Sequence, residues 1–139
     1  MFTSDTQIRV RYAETDQMDV VYHGNYAPYF EVGRVEAIRA LGFRYKDMEA
    51  GGVIMPVVEW TAKFLRPAHY DDLLTVRTIL QEMPVDHRIV FHQEVYNEKG
   101  KLLTVGRVLL YFMAAETMEK TVMPEPLRQA LEKYFVNEK

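Results

Sequence analysis

The stretch that decides the fold is residues 12–26, which read YAETDQMDVVYHGNY. A polar turn here joins the end of an alternating segment to the start of a helical one. The turn brings one carboxylate, that of Asp16, and one imidazole, that of His23, close to the N-terminus of the predicted helix. A helix N-terminus presents unpaired N–H groups and partial positive charge, which can hold a carbonyl oxygen as it becomes an oxyanion. A nearby carboxylate can act as base or nucleophile, so the stretch predicts a reactive site.

The segments on either side of this stretch predict a strand and a helix. Residues 7–13 alternate, with Ile8, Val10 and Tyr12 on one face, which predicts a half-buried strand. Asn25 is predicted as the N-cap of the helix. Apolar residues then recur at helical spacing: Tyr26, Phe30, Gly33, Ala37 and Leu41.

Two glycines carry further information about this helix. Gly33 lies within the apolar stripe, where Gly costs about 1 kcal/mol relative to Ala, which indicates a close approach to a sheet. Gly42 is predicted to follow the end of the helix.

The polar side chains between the apolar positions, those of Glu31, Arg34 and Glu36, predict exposed ion pairs. Glu31 has a second reading, as a contact to a partner subunit.

The remainder of the chain predicts a sheet. A short helix or turn is expected at residues 43–50, strands at 53–66, 73–83, 87–96 and 101–114, and a terminal helix at 124–137. Residues 97–100 read as a hairpin turn with Gly100 in the left-handed region. Short turns between consecutive strands predict an antiparallel meander. One long helix against one antiparallel sheet is a two-layer α+β arrangement of about five strands.

Composition narrows the possible functions. The 139 residues predict one domain, residues 1–139, and the net charge of −3 argues against nucleic-acid binding. The absence of Cys excludes a disulfide and a thiol nucleophile and agrees with a cytoplasmic protein. Neither a signal peptide nor a membrane span is expected. The histidines lack metal-ligand spacing, so no metal is expected.

The single long helix covers only one face of the predicted sheet. The open face and the edges of the sheet therefore predict a homodimer.

Several motifs together resemble the 4-hydroxybenzoyl-CoA thioesterase branch of the hotdog-fold acyl-CoA thioesterases. The matching residues are Arg9-Val10-Arg11-Tyr12, Thr15-Asp16, residues 20–26, and Tyr29, Glu31, Arg34 and Glu36 along the helix. A second match, residues 64–72, resembles the family's turn between its first two meander strands. With the order of elements, the resemblance covers nearly the whole chain.

The resemblance implies a fold, an activity and a site. The fold would be a hotdog, a long helix wrapped by an antiparallel sheet, with two protomers paired and dimers able to form tetramers. The activity would be hydrolysis of an acyl-CoA thioester to acid and CoA, without metal or cofactor. The catalytic carboxylate maps to Asp16 and an imidazole of many members to His23. The backbone of residues 23–26, including Gly24, Asn25 and Tyr26, would polarise the carbonyl. At Asp19 many relatives have Gly, and Asp tolerates the left-handed conformation such a loop needs.

Other side chains are candidates for substrate contacts. Lys63, Arg66, Arg88 and Arg107 could bind the phosphates of CoA, although each alone reads more simply as a solvated strand residue. The aromatic residues Trp60, Phe64, Phe91 and Tyr111 are predicted as core rather than acyl-pocket lining.

The sequence leaves the exact activity open. The alternatives to an acyl-CoA thioesterase are a non-catalytic acyl-CoA-binding hotdog protein, an acyl-ACP thioesterase and a dehydratase or hydratase on the same fold. The stretch from Thr15 to Tyr26 argues against the dehydratase. Asp16 could attack the carbonyl or deprotonate water, and the acyl group could be short, long or aromatic.

Overall fold

The architecture is one curved antiparallel sheet with a long helix across one face. The structure is a computed structural model and describes residues 1–136. The strands are β1 (Phe2–Arg9), β2 (Val53–Ile54), β3 (Val57–Phe64), β4 (Leu73–Leu80), β5 (Arg88–Tyr96), β6 (Leu102–Tyr111) and β7 (Met113–Ala114). The helices are α1 (Tyr26–Ala40), α2 (Tyr45–Ala50) and α3 (Glu125–Glu132). The main sheet has the order β1-β4-β5-β6-β3, and β2 pairs with β7 separately. The predicted α+β class is therefore confirmed.

Helix α1 lies close to the sheet at Gly33, as the sequence predicts. A Cβ on Gly33 would lie 2.7 Å from Cγ1 of Val76 and 2.9 Å from Oγ1 of Thr78, so only Gly permits this approach. Alternate residues of β4 and β5 are buried beneath the helix, which gives both strands a period of two. The helix ends before Gly42, whose φ of +83° suits Gly.

The first strand differs from its prediction. It spans Phe2–Arg9, and the chain then turns into a short 3-10 segment at Tyr12–Glu14. Tyr12 is 77% exposed, so its predicted place on the buried face is wrong. The reason is local: the Arg11 N–H donates to Oε1 of Glu14 at 2.8 Å, which bends the chain out of the extended conformation.

The predicted meander is confirmed for β4, β5 and β6 and is wrong for its first strand, β3. Strand β3 pairs with β6 rather than with β4, and β4 pairs with β1 on its other side. Residues 65–72 therefore cross from the edge strand β3 to β4, beside the opposite edge strand, instead of forming a tight turn. The crossing is held by the Val21 N–H, which donates to the Ala68 carbonyl at 2.9 Å, and it passes beside residues 15–26.

Two long predicted strands are interrupted. The segment 53–66 breaks at Met55–Pro56, where proline cannot donate to a sheet, and the segment 101–114 breaks at Phe112. The turn at residues 97–100 is confirmed, with Gly100 at a φ of +75°. Helix α3 ends at Glu132, and residue 137 of its predicted range lies outside the described residues. Within residues 1–136, no helix is long and apolar enough to cross a membrane.

Candidate active site

Asp16 lies in a small loop that is closed by backbone hydrogen bonds. Thr15 and Val21 form an antiparallel bridge, and the Asp16 N–H donates to the Val20 carbonyl at 2.9 Å. Within the loop, Asp19 has a φ of +64°, which is the left-handed conformation that Asp was expected to tolerate. The loop therefore keeps its shape with Asp at this position.

The Asp16 carboxylate has one local role and one open oxygen. Its Oδ1 accepts from the Met18 N–H at 2.9 Å, which is the turn contact typical of Asp after a strand. Within the described part of the chain, its Oδ2 has no hydrogen bond, and no ion pair or hydrogen bond joins the carboxylate to His23. Asp16 as a whole residue is half-buried.

The chain enters α1 through a 3-10 turn at His23–Asn25. The Asn25 N–H donates to the Tyr22 carbonyl at 2.9 Å, and the Tyr26 N–H donates to the His23 carbonyl. Two of the four predicted carbonyl-polarising N–H groups are thus already used inside the turn. Among residues 1–136, nothing accepts from the N–H groups of His23 and Gly24.

Asn25 does not cap the helix as predicted. It has helical dihedrals, φ −74° and ψ −12°, and its side chain makes no capping bond. Its Nδ2 instead donates to the Glu14 carbonyl at 2.8 Å, and the Tyr22 N–H donates to the same oxygen at 2.9 Å. Asn25 therefore ties the helix start to the segment that precedes Asp16.

Glu14 is a residue of this region that sequence reasoning missed. Its carboxylate accepts from the Tyr29 hydroxyl at 2.7 Å and from Nη2 of Arg11 at 2.9 Å. Partial burial would raise the pKa of Glu14, but the hydrogen bonds from Arg11 and Tyr29 lower it below its ordinary value. Burial, reinforced by the bond to Glu14, raises the pKa of Tyr29. The spacing of Arg11 and Glu14, three residues apart in a turn, was the available signal.

His23 opens onto a cavity of about 210 Å³. Its lining residues are Val20, Val21, His23, Tyr26, Phe64, Leu65, Arg66 and Pro67. The His23 ring is exposed and lies 4.3 Å from the Tyr22 ring and 6.1 Å from the Phe64 ring, between centroids. Tyr26 is buried against Ala68 and Thr104, and this burial raises its pKa. The Asp16 loop adjoins this cavity through Val20 and Val21, and Asp16 itself does not line it.

The four predicted phosphate-binding cations lie in different places. Arg66 lines the His23 cavity and donates from Nη1 to the Leu102 carbonyl at 3.1 Å. Lys63 is exposed on β3. Arg88 forms an ion pair with Asp86 and lines a separate cavity of about 440 Å³ at the other end of β5. Arg107 pairs with Glu59 at 3.3 Å.

Three further predictions about side-chain burial are wrong. Arg34 is 6% exposed and donates from Nη1 to Oε1 of Gln93 at 3.1 Å, so it forms no surface ion pair. Phe64 is half-exposed at the His23 cavity rather than part of the core, because β3 is an edge strand. Tyr111 is only half-buried and does not belong to the core, whereas Phe91 is fully buried, as predicted. Among residues 1–136, no three His, Asp or Glu side chains are grouped to hold a metal ion.

Comparison with known proteins identifies related sequences over most of the chain. Residues 10–131 match the sequence model of the Thioesterase-like superfamily. YneP, a candidate acyl-CoA thioesterase of Bacillus subtilis, is 43% identical over 102 residues, 73% of this chain and 73% of YneP. The acyl-CoA thioesterase YbgC of Haemophilus influenzae is 36% identical over 124 residues, 88% of this chain and 90% of YbgC.

Solved structures share the fold. The DHNA-CoA thioesterase of Staphylococcus aureus is 38% identical with a TM-score of 0.83, over 99% of this chain and 86% of that one. The predicted hotdog fold is therefore confirmed. A 4-hydroxybenzoyl-CoA thioesterase superposes with a TM-score of 0.82 over 94% of this chain and 99% of that one, but only 18% of residues are identical. That likeness concerns the fold alone.

Proposed function

Because the chain belongs to the Thioesterase-like superfamily, we propose that it hydrolyses acyl-CoA thioesters to a free carboxylic acid and CoA. The observation that carries this proposal is the pair of unused N–H groups at His23 and Gly24, beside a cavity and the Asp16 loop. Relatives named as acyl-CoA thioesterases support it.

The thioester carbonyl oxygen accepts from the N–H of His23 or Gly24. These donors sit at the start of α1, where the helix dipole adds partial positive charge. As the carbonyl carbon is attacked, its oxygen becomes an oxyanion and the same hydrogen bonds strengthen. Asn25 and Tyr26 act by fixing the turn, since their own N–H groups already have acceptors.

Asp16 acts as nucleophile or as general base. In the first route, its carboxylate oxygen forms a bond to the carbonyl carbon, and collapse of the oxyanion breaks the C–S bond and releases the CoA thiolate, which takes a proton from water. A further water then hydrolyses the mixed anhydride and restores Asp16. In the second route, Asp16 removes a proton from water as that water attacks, and the departing thiolate receives the proton.

The remaining predicted site residues have supporting roles. The imidazole of His23 lies at the cavity and orients the water or the carbonyl. Arg66 lies at the same cavity, so it is the best placed of the four candidate cations to meet a CoA phosphate, and Lys63 lies on the adjoining strand. Arg88 is less suited, because Asp86 already neutralises it.

The proposal extends to the branch of the family, the oligomeric state and the location. Membership of the 4-hydroxybenzoyl-CoA branch rests on the motifs of residues 9–36. A homo-oligomer is supported by the exposed apolar residues of the edge strand β3, among them Val57 and Val58. A cytoplasmic location and a single domain over residues 1–139 agree with the composition.

The experiment that tests this function is thiol release from a panel of acyl-CoAs with acetyl, hexanoyl, palmitoyl and aromatic acyl groups. We expect turnover of at least one of these substrates. The rate should be the same with and without a metal chelator. The same acyl groups on acyl carrier protein identify the preferred carrier. Saturable binding of acyl-CoA without any thiol release would contradict hydrolysis and favour a binding protein.

A further inference from the structure

Glu14 lies at the point where the chain before Asp16 meets helix α1. Its Oε1 accepts from the Tyr29 hydroxyl at 2.7 Å and from the Arg11 N–H at 2.8 Å. Its Oε2 accepts from Nη2 of Arg11 at 2.9 Å and from Nε of Arg11 at 3.1 Å. The Glu14 side chain is 13% exposed, whereas that of Arg11 is 80% exposed. The carboxylate is therefore enclosed by donors, and Arg11 forms the solvent side of the contact.

The backbone of Glu14 holds the turn that carries the two open N–H groups. Its carbonyl accepts from the Tyr22 N–H at 2.9 Å and from Nδ2 of Asn25 at 2.8 Å. In the chain, Tyr22 directly precedes His23, and Asn25 directly follows Gly24. The Glu14 carbonyl therefore fixes both ends of the segment that carries these donors.

The same residue determines where the Asp16 carboxylate lies. Thr15 alone separates Glu14 from Asp16, and Thr15 forms the bridge that closes the Asp16 loop. Tyr29, at the other end of the carboxylate contact, is only 3% exposed in α1 and provides a fixed anchor. Glu14 thus joins the carboxylate of the site to its carbonyl-binding N–H groups, although Glu14 itself does not line the His23 cavity.

The contact requires a carboxylate rather than an amide. Each oxygen of Glu14 faces at least one N–H of Arg11, so an amide at this position would turn its NH2 group toward a donor in either orientation. Burial raises the pKa of Glu14, and the hydrogen bonds from Arg11 and Tyr29 lower it by more than burial raises it. The group is therefore ionised at neutral pH, which keeps both oxygens as acceptors.

We propose that Glu14 is a positioning residue for hydrolysis, whose carboxylate holds Asp16 in a fixed place relative to the carbonyl-binding N–H groups of the turn. The inference rests on the proposed thioesterase activity and adds a residue that acts through Asp16 without contacting the acyl-CoA. A displacement of about 1 Å at a reacting group can lower the rate by roughly a hundredfold. Removal of this link should therefore reduce kcat and leave substrate binding unchanged.

Steady-state thiol release by Glu14→Gln tests this role, with the acyl-CoA that the wild-type protein turns over fastest. The assay temperature is one at which circular dichroism shows every variant to be as folded as wild type. We expect kcat to be about tenfold or more lower and KM to stay within about twofold of wild type. Tyr29→Phe, which removes the anchor and leaves the Arg11 contact, should lower kcat by a smaller factor. If Glu14 only stabilised the fold, the folded variants would retain the wild-type kcat.

Glu94 and Tyr96 provide matched controls. The Tyr96 hydroxyl donates to Oε1 of Glu94 at 2.9 Å, which is the same kind of contact on the face of β5 turned away from α1. Glu94→Gln and Tyr96→Phe should both leave kcat and KM at their wild-type values. An equal loss of kcat in Glu94→Gln and Glu14→Gln would overturn the proposal, because the effect would not depend on the site.

A double variant shows whether Glu14 acts through Asp16. In the Asp16→Asn protein, assayed at a correspondingly higher enzyme concentration, the addition of Glu14→Gln should change kcat by less than about twofold. A further loss of about tenfold would show that the two residues act independently and would also overturn the proposal.

The outcomes separate this inference from the proposed function. If the wild type releases thiol and Glu14→Gln releases it with the same kcat, the thioesterase stands and the positioning role is wrong. A change in KM alone would make Glu14 a contributor to substrate binding and would likewise overturn the role. If the wild type releases no thiol from any acyl-CoA, the proposed function and this inference both fail.

Discussion

Gly33 shows at the scale of one residue how the helix meets the sheet. A Cβ there would contact Val76, Thr78 and Gln93, which are themselves buried. We expect Gly33→Ala to lower the free energy of unfolding by roughly 1–3 kcal/mol, despite the higher helix propensity of Ala. Urea unfolding monitored by circular dichroism measures this.

Gly51→Ala is the matched control. Gly51 has a φ of −80°, and a Cβ there would lie 3.4 Å or more from its neighbours. Its unfolding free energy should stay within about 1 kcal/mol of wild type. Equal stability of the two variants would mean that α1 does not need Gly at position 33.

Single residues could be predicted from the sequence where the local backbone determines which residue type fits. Gly33, Gly42 and the left-handed Asp19 all belong to this class. The burial of Arg34 was not predicted, because arginine is usually exposed and its partner Gln93 lies 59 positions further along the chain. Helical spacing placed Arg34 four residues after buried Phe30, which was the one available sign.

At the scale of elements, Glu14 joins the loop before Asp16 to helix α1. Its pKa is lower in the folded chain, so the stabilisation is present above its ordinary pKa of 4.5 and is lost as the pH falls through the folded value. We expect Glu14→Gln to lower the unfolding free energy by about 1–2 kcal/mol at neutral pH. The difference from wild type should shrink below about pH 4.5. Urea unfolding across this range tests both statements.

Glu36→Gln serves as the control for this pH series. Glu36 pairs with Arg39 at 3.4 Å on the exposed side of α1. An exposed pair contributes little, so the change should stay within about 0.5 kcal/mol at every pH. A pH-independent loss in Glu14→Gln would show that its charge does not stabilise the fold.

Element boundaries could be predicted less well than element types. The existence of α1, of the sheet and of the terminal helix followed from periodicity. The end of β1 depended on the Arg11–Glu14 contact, and the interruption near Pro56 depended on the pairing of β2 with β7. In the site, the sequence indicated the helix start, whereas the internal bonds of the 3-10 turn distinguish His23 and Gly24 as donors.

At the scale of the whole molecule, β3 leaves one edge of the sheet open. Val58 is 48% exposed on this edge, where apolar side chains and unpaired backbone groups favour a second copy. We expect the protein to be a dimer or larger by light scattering coupled to size exclusion. Val58→Lys should shift it toward monomer and lower its thioesterase activity.

The opposite edge provides the comparison. Thr3 is exposed on β1, the other edge strand, and Thr3→Lys should leave the oligomer intact. A wild-type monomer with full activity would contradict the predicted homo-oligomer. The sheet order could not be predicted from the sequence, because β3 and β6 pair residues that are 40 (Phe64 and Thr104) to 53 (Val57 and Leu110) positions apart and no local signal encodes this pairing.

The measurement that tests the central claim most directly is thiol release by Asp16→Asn beside Asp19→Asn. The amide oxygen that replaces Oδ1 in Asp16→Asn can keep the bond from the Met18 N–H, and Asn tolerates the left-handed conformation at position 19, so the loop should fold in both variants. We predict a loss of about a hundredfold or more for Asp16→Asn, near-wild-type activity for Asp19→Asn and a smaller loss for His23→Ala. An Asp16→Asn protein that hydrolyses acyl-CoA as fast as wild type would contradict the assigned role of this carboxylate.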